Sequence, residues 1–541
     1  MTQHTTETPA TPQLLSGNEA VALAARHTQV ALGVGYPGTP STEILEHFGA
    51  LGGKARWSPN EKVALEVGIG VAYGKGRALV TMKHVGLNVA ADPLFTVAYT
   101  GVDGALILAV ADDPGMASSQ NEQDTRYYAR AAGVPMLEPA SSQEAYDAFF
   151  EAVAISETFQ RPVILRLSTR VCHSRTTVVP REPVTAPAPA FQRDIPKRVM
   201  IPAYARPAHR RMRQALQAVG EHFEQSDLNR EFPGEDRRLG LITSGVATVH
   251  AAEAAPDLPM LQLTTTWPLP LERIRRFAQS VERCIVIEEG DPILLNDLNA
   301  AGIPATGKPE MYRFGELNVE RVTRILNGDT RPETEPPKGR PPELCAGCPH
   351  RISFAALREL DCIVAGDIGC YTLGVLSPFE AMDTCVCMGA SIGVGLGLRH
   401  VLPEDEATRV VSVLGDSTFM HSGLTGILEM VYNRPPTGHV VLVLDNGITA
   451  MTGMQEHPGS GRLLDRGPAH RVDIAELGRA MGLDEVIEVD ANDVKHNFAE
   501  LLRDVLDRRT LALIVVKKPC LLLQRQLRRD AKATATSPKG K

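Results

Sequence analysis

The sequence predicts a multi-domain α/β protein built on parallel sheets that are flanked by helices. Short apolar strands alternate with helical stretches along most of the chain, a pattern typical of parallel sheets with helices on both faces. The length of 541 residues suggests about three domains at roughly 100–200 residues each. Two Pro-rich segments, VVPREPVTAPAPA and RPETEPPKGRPP, mark the predicted joints between these domains.

The predicted segments follow one another along the chain with these joints as boundaries. In chain order they are a disordered tail (1–14), a first α/β domain (15–185), a linker (186–215), a smaller α/β domain (216–330), a second linker (331–343), a third α/β domain (344–525) and a disordered C-terminal tail (526–541). The first tail is rich in Thr, Pro and Gln, and the last in charged and small residues. Because Pro disrupts helices and central strands, we expect neither in the first linker.

Composition and charge exclude several classes of protein. The formal net charge of −8 argues against a nucleic-acid-binding protein that relies on neutralising phosphates. No run of about 18 or more apolar residues is present, so we predict no membrane-spanning helix. The N-terminus has no signal-peptide pattern, and nine Cys are too few for a disulfide scaffold. We therefore predict a cytoplasmic protein whose thiols stay reduced.

Polar side chains follow two apolar strands of the third domain, VVSVLGD and HVVLVLDN. Roughly thirty residues separate the strand ends, enough for one crossover helix, so the two ends are expected to lie side by side. Asp416 and Asn446 then converge on a hard cation through a carboxylate and an amide oxygen. Gly415 lets the backbone approach a phosphate, and the helix start after Ser417 turns its positive end towards that anion. The alternative is a pair of ordinary strand-end turns, in which these residue types are common.

Four cysteines form a second pattern, which predicts a metal centre. Cys345 and Cys348 form a C-x2-C pair, while Cys370 ends GDIGC and Cys520 ends KKPC. Four thiolates suit either a tetrahedral Zn²⁺ or a 4Fe–4S cluster, and a C-x2-C pair alone can also be redox-active. For the other cysteines we predict structural roles; they are Cys172, Cys284, Cys362, Cys385 and Cys387.

These motifs resemble those of the 2-oxoacid:ferredoxin oxidoreductases and, more closely, those of the alpha subunits of indolepyruvate ferredoxin oxidoreductases. The segments that carry the resemblance span residues 35–453, with KKPC at the end; they are GYPGTPSTEI, NEKVALEVGIG, TMKHVGLN, DDPGMASSQNEQDTR, LCAGCPHR, GDIGCYTLG, MDTCVCMGASIG, GDSTFMHSG and LDNGITAMTG. The resemblance implies that 15–185 is a pyrimidine-binding domain, 216–330 a transketolase-C-like domain and 344–525 the domain that binds the diphosphate of thiamine diphosphate.

The resemblance also implies three cofactors, namely thiamine diphosphate, Mg²⁺ and one 4Fe–4S cluster. The implied Mg²⁺ ligands are Asp416, Asn446 and the carbonyl of Ile448. The implied cluster ligands are Cys345, Cys348, Cys370 and Cys520. The further implied contacts of thiamine diphosphate are Gly38, Gly389, Gly415 and Ser417.

Three side chains are implied in catalysis. Glu66 would contact the aminopyrimidine, where a carboxyl that protonates the ring nitrogen helps to remove the thiazolium C2 proton. Thr39 matches the family's substrate-side threonine, and Arg126 would clamp the 2-oxoacid carboxylate through a two-donor fork. The alternative for Glu66 and Arg126 is an ordinary surface charge. Lys83 and His84 are weaker active-site candidates.

The implied activity is oxidative decarboxylation of aryl 2-oxoacids such as indolepyruvate to aryl-acetyl-CoA and CO₂. The implied partners are a smaller beta subunit, coenzyme A and ferredoxin or another low-potential acceptor. The C-terminal ferredoxin-like domain common in these alpha subunits is expected to be absent, since Cys520 is the only Cys after Cys387. Two alternatives stay open: a non-oxidative 2-oxoacid decarboxylase, which needs no cluster, and a catalytically silent scaffold subunit, which needs no cofactor.

Overall fold

The structure, a computed structural model, describes residues 11–334 and 342–536, with side chains up to residue 529. These residues divide into two units on either side of Thr334. None of the described helices is both long enough and apolar enough to cross a membrane.

A seven-stranded sheet forms the largest core of the first unit. Its strands, in order across the sheet, are Thr265–Trp267, Met136–Leu137, Val163–Ser168, Ala105–Asp112, Arg77–Lys83, Leu32–Gly35 and Ala55–Trp57. All neighbours pair in parallel except the first two, which are antiparallel. The central strand Ala105–Asp112 is buried along its whole length, as expected for a parallel strand covered on both faces. The edge strand Thr265–Trp267 comes from the predicted segment 216–330, so that segment contributes to the sheet of the segment 15–185.

Two further sheets complete the strands of this unit. The five-stranded sheet consists, in order, of Thr306–Gly307, Cys284–Ile287, Gly240–Ser244, Met260–Leu263 and Arg230–Phe232, of which the last is antiparallel. A two-stranded antiparallel sheet pairs Gln13–Ser16 with Arg175–Val178.

The helices of the first unit connect these strands. In chain order they are Gly17–His27, Thr42–Ala50, Glu61–Tyr73, His84–Val89, Ala91–Thr100, Thr125–Ala132, Ser142–Phe159, Thr169–His173, Ile195–Arg198, Pro202–Glu224, Ala247–Ala254, Leu271–Gln279, Ile293–Ala300, the 3-10 turn Glu310–Arg313 and Val319–Leu326. Local sequence sets several of their starts. Ser16 and Glu19 form a reciprocal capping box at the first helix, and the Asn60 side chain accepts the Val63 N–H at the third.

The second unit is built on a six-stranded, all-parallel sheet. Its strands, in order across the sheet, are Thr384–Cys385, Ile363–Gly366, Val410–Gly415, His439–Asp445, Leu511–Lys517 and Glu485–Asp490. Alternate residues of one strand face different cores, since Val440 and Leu442 pack with Phe354 whereas Val441 packs with Ile427. Helices therefore cover both faces, which confirms the predicted fold class.

The helices of the second unit lie on these two faces. In chain order they are His350–Glu359, the 3-10 helix Cys370–Val375, Ala390–Val401, Glu404–Ala407, the consecutive segments Asp416–Thr418, Phe419–Gly423 and Leu424–Tyr432, then Ile474–Ala480, Phe498–Arg508 and Leu521–Thr536.

Three details of the predicted segmentation are wrong. The predicted N-terminal tail includes Gln13 and Leu14, which lie in a strand. Two helices, Ile195–Arg198 and Pro202–Glu224, begin inside the predicted linker. Pro196 and Pro202 lie in their first turns, where a missing N–H breaks no helical hydrogen bond, whereas Pro207 lies inside the longer helix. Residues 526–536 of the predicted C-terminal tail are helical. The remaining residues 1–10, 335–341 and 537–541 of these segments lie outside the described residues, and the domain boundaries stay predictions.

Candidate active site

Two neighbouring strands of the second unit end in the polar residues that the sequence singled out. The strands Val410–Gly415 and His439–Asp445 pair in parallel, so their carboxyl ends lie side by side, as predicted. Asp416 and Asn446 follow these ends and are 3% and 8% exposed. The Gly447 N–H donates to Asp416 Oδ2 over 2.7 Å, so Asp416 joins the two loops.

His457 and Asp445 complete a buried polar cluster with Asp416. The Gly459 N–H donates to His457 Nδ1 at 3.1 Å, so we assign the ring proton to Nε2, which donates to Asp416 Oδ2 at 3.2 Å. Burial raises the pKa of the Asp416 carboxyl, but His457 and neighbouring hydrogen bonds outweigh burial and lower that pKa below its usual value. Burial and the negative charge of Asp416 raise the pKa of Asp445. Sequence reasoning missed His457, which lies 41 residues beyond Asp416.

The donor set of this cluster fits a hard divalent cation. Asp416 offers carboxylate oxygens, and Asn446 offers an amide oxygen that accepts the Ile448 N–H at 3.0 Å. A cation between the strand ends would also offset the repulsion between Asp416 and Asp445. Carboxylate and amide oxygens are ligands that Mg²⁺ accepts in proteins, where it commonly bridges to phosphate oxygens.

The two glycines predicted at this edge are required by packing. A Cβ added to Gly415 would lie 2.7 Å from a ring carbon of Tyr371, and one added to Gly389 would lie 2.4 Å from the Cβ of Ser422. Gly389 also has φ +86°, in the left-handed region that favours glycine. The predicted contact of these glycines with a cofactor stays a prediction.

Two more side chains fix the loops at this edge. Ser417 is buried, and its Oγ accepts a hydrogen bond from Thr449 Oγ1 at 2.8 Å. Asp367, which sequence reasoning missed, accepts the N–H groups of Gly389 and Ser391 at 2.9 and 3.1 Å. Its carboxylate thereby holds the start of the helix Ala390–Val401; the signal was an Asp directly after a predicted strand.

Of the four cysteines predicted as metal ligands, Cys345, Cys348 and Cys520 lie in loops of this unit, and Cys370 begins the 3-10 helix Cys370–Val375. Burial, with a smaller contribution from charge on the other thiols of the set, raises the pKa of the Cys348 and Cys370 thiols to about 11. The thiols of Cys345, Cys348 and Cys520 thus all act electrostatically on that of Cys370. The Cys520 N–H donates to the carbonyl oxygen of Asn446 at 3.0 Å, which ties this cysteine to the Asp416 edge. Among residues 11–334 and 342–529, no group of three or more His, Cys, Asp or Glu side chains is already arranged to hold a metal ion.

The remaining cysteines divide into buried and exposed ones. Cys172 and Cys284 are buried, and Cys362 is half-buried against a core, as expected for small apolar side chains. Cys385 and Cys387 are exposed, and this exposure does not support the structural role predicted for them.

A second candidate edge lies in the first unit, at the carboxyl ends of three adjacent parallel strands. The loop after Leu32–Gly35 carries Gly38, which is buried, and Thr39, which is half-buried. A Cβ added to Gly38 would lie 3.1 Å from the side chain of Lys83. The absence of a side chain at Gly38 thus leaves space for the Lys83 side chain. The predicted contact of Gly38 with a cofactor stays a prediction. Lys83 ends the neighbouring strand.

Glu66 does not have the environment expected of a cofactor-binding carboxylate, whereas Glu61 does. The Glu66 side chain is 45% exposed and forms an ion pair with Lys62 on the same helix. Glu61 is only 5% exposed, and a Cβ added to Gly86 would lie 2.6 Å from its Oε1. Positions five apart are about 140° apart around a helix, so the two carboxylates lie on different faces. The buried contact of Glu61 involves a residue 25 positions away, so no local pattern reveals it, and the role of Glu66 stays a prediction.

Arg126 is not a free carboxylate clamp, and that prediction is corrected. The side chain is buried, and each of its three nitrogens donates to a protein oxygen. Nε donates to Asp124 at 2.9 Å, Nη1 donates to Glu288, and Nη2 donates to the carbonyl oxygens of Glu289 and Asp291 at 2.6 and 2.9 Å. The opposing charges of Asp124 and Glu288 compensate for burial and raise the pKa of Arg126. Arg126 therefore connects two segments of the first unit that lie about 160 residues apart.

Replacing Arg126 by Met is expected to lower the free energy of unfolding by about 3–5 kcal/mol, because Glu288 loses its ion pair and Asp124 keeps only the more distant Arg166, at 3.6 Å. Chemical denaturation followed by circular dichroism measures this loss. The control is Arg130→Met on the same helix, since Arg130 is 49% exposed and its ion pair is worth at most about 1 kcal/mol. If the Arg126→Met protein were as stable as the control but had lost affinity for the 2-oxoacid, the predicted role of Arg126 in binding the substrate carboxylate would be supported again.

Two family models match the chain. Residues 23–231 match "Pyruvate flavodoxin/ferredoxin oxidoreductase, thiamine diP-bdg", and residues 367–516 match "Thiamine pyrophosphate enzyme, C-terminal TPP binding domain". Both models describe domains that bind thiamine diphosphate, and the second covers the edge that carries Asp416 and Asn446.

Curated relatives extend this match over nearly the whole chain. The indolepyruvate oxidoreductase subunit IorA of Pyrococcus horikoshii is 38% identical, over 97% of this chain and 88% of that protein. The IorA subunit of Archaeoglobus fulgidus is 37% identical, over 95% and 87%. The fold also resembles that of the 2-oxoglutarate:ferredoxin oxidoreductase from Magnetococcus marinus, solved with 2-oxoglutarate, coenzyme A and succinyl-CoA bound (TM-score 0.51, 16% identity, 59% of this chain and 65% of that chain). The chain is thus an oxidoreductase of the thiamine diphosphate-dependent 2-oxoacid:ferredoxin oxidoreductases, and it belongs to the family of indolepyruvate oxidoreductase IorA subunits.

Proposed function

We propose that the chain carries out the oxidative decarboxylation of aryl 2-oxoacids such as indolepyruvate. The 2-oxoacid and coenzyme A would give aryl-acetyl-CoA, CO₂, one proton and two electrons, the electrons passing to ferredoxin. The observation that carries this proposal is the buried Asp416 carboxylate bonded to the loop of Asn446, because this is the donor set that a cation-bound diphosphate requires. The relatives named for indolepyruvate support the choice of substrate.

In this proposal the strand ends of the second unit hold the cofactor. Asp416, Asn446 and the carbonyl of Ile448 would bind Mg²⁺, and Ser417 and its loop would bind the diphosphate. His457 would orient the Asp416 carboxylate through its Nε2–H. When bound, the thiazolium ring accepts the electrons that remain on the substrate carbon as CO₂ leaves.

In the first unit, we assign the pyrimidine-side carboxyl to Glu61 rather than Glu66. Exclusion of water limits the leakage of protons from an acid–base site, and Glu61 is buried beside Gly86. Thr39 keeps its proposed place on the substrate side of the same edge.

Four thiols would hold one 4Fe–4S cluster beside this site, namely Cys345, Cys348, Cys370 and Cys520. Their residue type and mutual electrostatic influence fit such a cluster. Such a cluster would carry one electron at a time, so an external acceptor such as ferredoxin would react twice per turnover. We also propose a smaller beta subunit as partner.

The Cys520→Ala variant is expected to lose most of its iron and sulfide and its oxidoreductase activity, while it keeps thiamine diphosphate binding. The hydrogen bond from residue 520 to Asn446 uses the backbone N–H, so the alanine variant retains it. Anaerobic iron and sulfide analysis with electron-spin spectra measures the loss, and Cys362→Ala is the matched control. Unchanged iron in Cys520→Ala would contradict the ligand assignment.

The function itself is tested by activity with the partner subunit. The anaerobically purified complex is expected to reduce a low-potential acceptor when indolepyruvate and coenzyme A are both present, and to form indoleacetyl-CoA. Release of an aldehyde without acceptor reduction would identify a non-oxidative decarboxylase instead. A complex that binds thiamine diphosphate but converts no arylpyruvate would refute the proposal.

A further inference from the structure

Lys83 lies at the centre of the candidate edge of the first unit. Its strand, Arg77–Lys83, pairs in parallel with Leu32–Gly35 on one side and Ala105–Asp112 on the other. Ligands of open parallel sheets bind at the carboxyl ends of the strands. Lys83 therefore stands where a ligand of this unit is expected.

The ammonium of Lys83 has donors to spare. The Cγ and Cδ atoms of the Lys83 side chain pack over Gly38. The Lys83 Nζ donates to the Ser118 carbonyl oxygen at 2.8 Å. Within the described part of the chain, this is the only hydrogen bond of Nζ, and no carboxylate oxygen lies within ion-pair distance of it. An ammonium has three N–H donors, so two remain for an incoming oxyanion.

The neighbouring carboxylate of Asp113 is committed to other partners. Its Oδ2 accepts the Ser118 N–H and the Ser119 hydroxyl at 2.8 and 2.6 Å, and its Oδ1 accepts the Thr169 hydroxyl at 2.7 Å. Burial lowers the pKa of Lys83 to about 8, against the opposing influence of Asp113 and Glu61. A partly desolvated cation without a direct counter-ion gains free energy when a carboxylate binds to it.

The two buried arginines near this edge are already neutralised. Arg126 is held by Asp124 and Glu288. Arg166 pairs with Asp112 and Glu138 at 2.7 and 2.5 Å. A substrate carboxylate would have to displace a protein carboxylate to reach either arginine, whereas at Lys83 it would displace at most a carbonyl oxygen.

We propose, on the basis of the function proposed above, that Lys83 binds the carboxylate of the 2-oxoacid through its ammonium group. This role takes the place of the clamp first expected of Arg126. It also gives Gly38 a role beside Thr39, because a Cβ at that position would lie 3.1 Å from the stem of Lys83, which would have to shift by a few tenths of an ångström.

Indolepyruvate binding without turnover tests this inference. Calorimetry is performed on the complex with its partner subunit, loaded with Mg²⁺ and an unreactive thiamine diphosphate analogue. We expect Lys83→Gln to weaken indolepyruvate binding at least about tenfold, Lys83→Arg to retain more affinity than Lys83→Gln, and all variants to bind the analogue equally. The matched control is Lys62→Gln, which removes an exposed lysine paired with Glu66 and is expected to leave both affinities unchanged.

Three results would overturn the inference: equal indolepyruvate affinity of Lys83→Gln and wild type, loss of analogue binding in Lys83→Gln, or a wild-type complex that binds neither indolepyruvate nor phenylpyruvate. A complex whose indolepyruvate binding depends on Lys83, but which forms no CoA ester, would refute the proposed function and leave this inference standing.

Discussion

The Asp416→Ala variant is expected to bind thiamine diphosphate at least about a hundredfold more weakly than wild type in the presence of Mg²⁺. Loss of an outer-shell partner alone costs roughly 10–100-fold in metal affinity, and Asp416 is proposed as a direct ligand. The substitution also removes the acceptor for the Gly447 N–H and for His457 Nε2. Titration calorimetry measures the affinity, with circular dichroism as the check that the sheet still folds.

A second substitution at Asp416 tests its charge separately from its size, and a substitution elsewhere serves as the control. Asp416→Asn keeps an oxygen that can accept the Gly447 N–H but removes the charge, so we expect it to bind thiamine diphosphate nearly as weakly as Asp416→Ala. Asp361→Ala is the control, because that carboxylate is 91% exposed and lies in the turn before the strand Ile363–Gly366. Wild-type affinity in Asp416→Asn would show that this carboxylate is not the cation's ligand.

The strand-end edge of the second unit could be predicted because its signals are local. Each apolar strand ends in a polar residue, and the interval between Asp416 and Asn446 fits one crossover helix, so parallel pairing follows from the handedness and length of such units. The fold class follows for the same reason, since alternation of strands and helices is visible in any short window of the sequence.

The environments of Arg126 and His457 could not be predicted because their partners are distant in sequence. Arg126 contacts Glu288 across 162 positions, and His457 contacts Asp416 across 41. Both arrangements depend on tertiary packing, which no periodic pattern encodes. Arg126 could be mistaken for a clamp because buried ion pairs and substrate clamps use the same residue type.

Sequence alone also does not distinguish Glu61 from Glu66, although the two residues lie only five positions apart. Both residues lie on one helix. The buried face of that helix carries several small residues such as Gly68, so the spacing of large apolar residues does not show which face is buried. Glu61 directly follows the N-cap Asn60, a position where an acidic residue is commonly explained by the helix dipole alone. Its burial becomes apparent only when the helix His84–Val89, which carries Gly86, is in place.

The Glu61→Gln variant is therefore expected to lower kcat about 10²–10⁴-fold, the range that a positioned acid–base group supplies. Glutamine keeps the size of the side chain and its burial but cannot transfer a proton, so thiamine diphosphate binding is expected to change little. Two measurements check this result: turnover with saturating indolepyruvate and coenzyme A, and the rate at which the thiazolium C2 proton of the bound cofactor exchanges with deuterium. The exchange rate needs no substrate, so it separates a defect in cofactor activation from a defect at Lys83.

Glu66→Gln provides the matched comparison on the same helix. Its ion pair with Lys62 is exposed and screened by water, so we expect kcat and the exchange rate to stay within about twofold of wild type. A slow Glu66→Gln enzyme with a normal Glu61→Gln enzyme would reverse the assignment and require the exposed face of this helix to be covered by another subunit. Slow exchange in Glu61→Gln alone would place proton transfer at the buried carboxyl, because only that variant removes an acidic group that water does not reach.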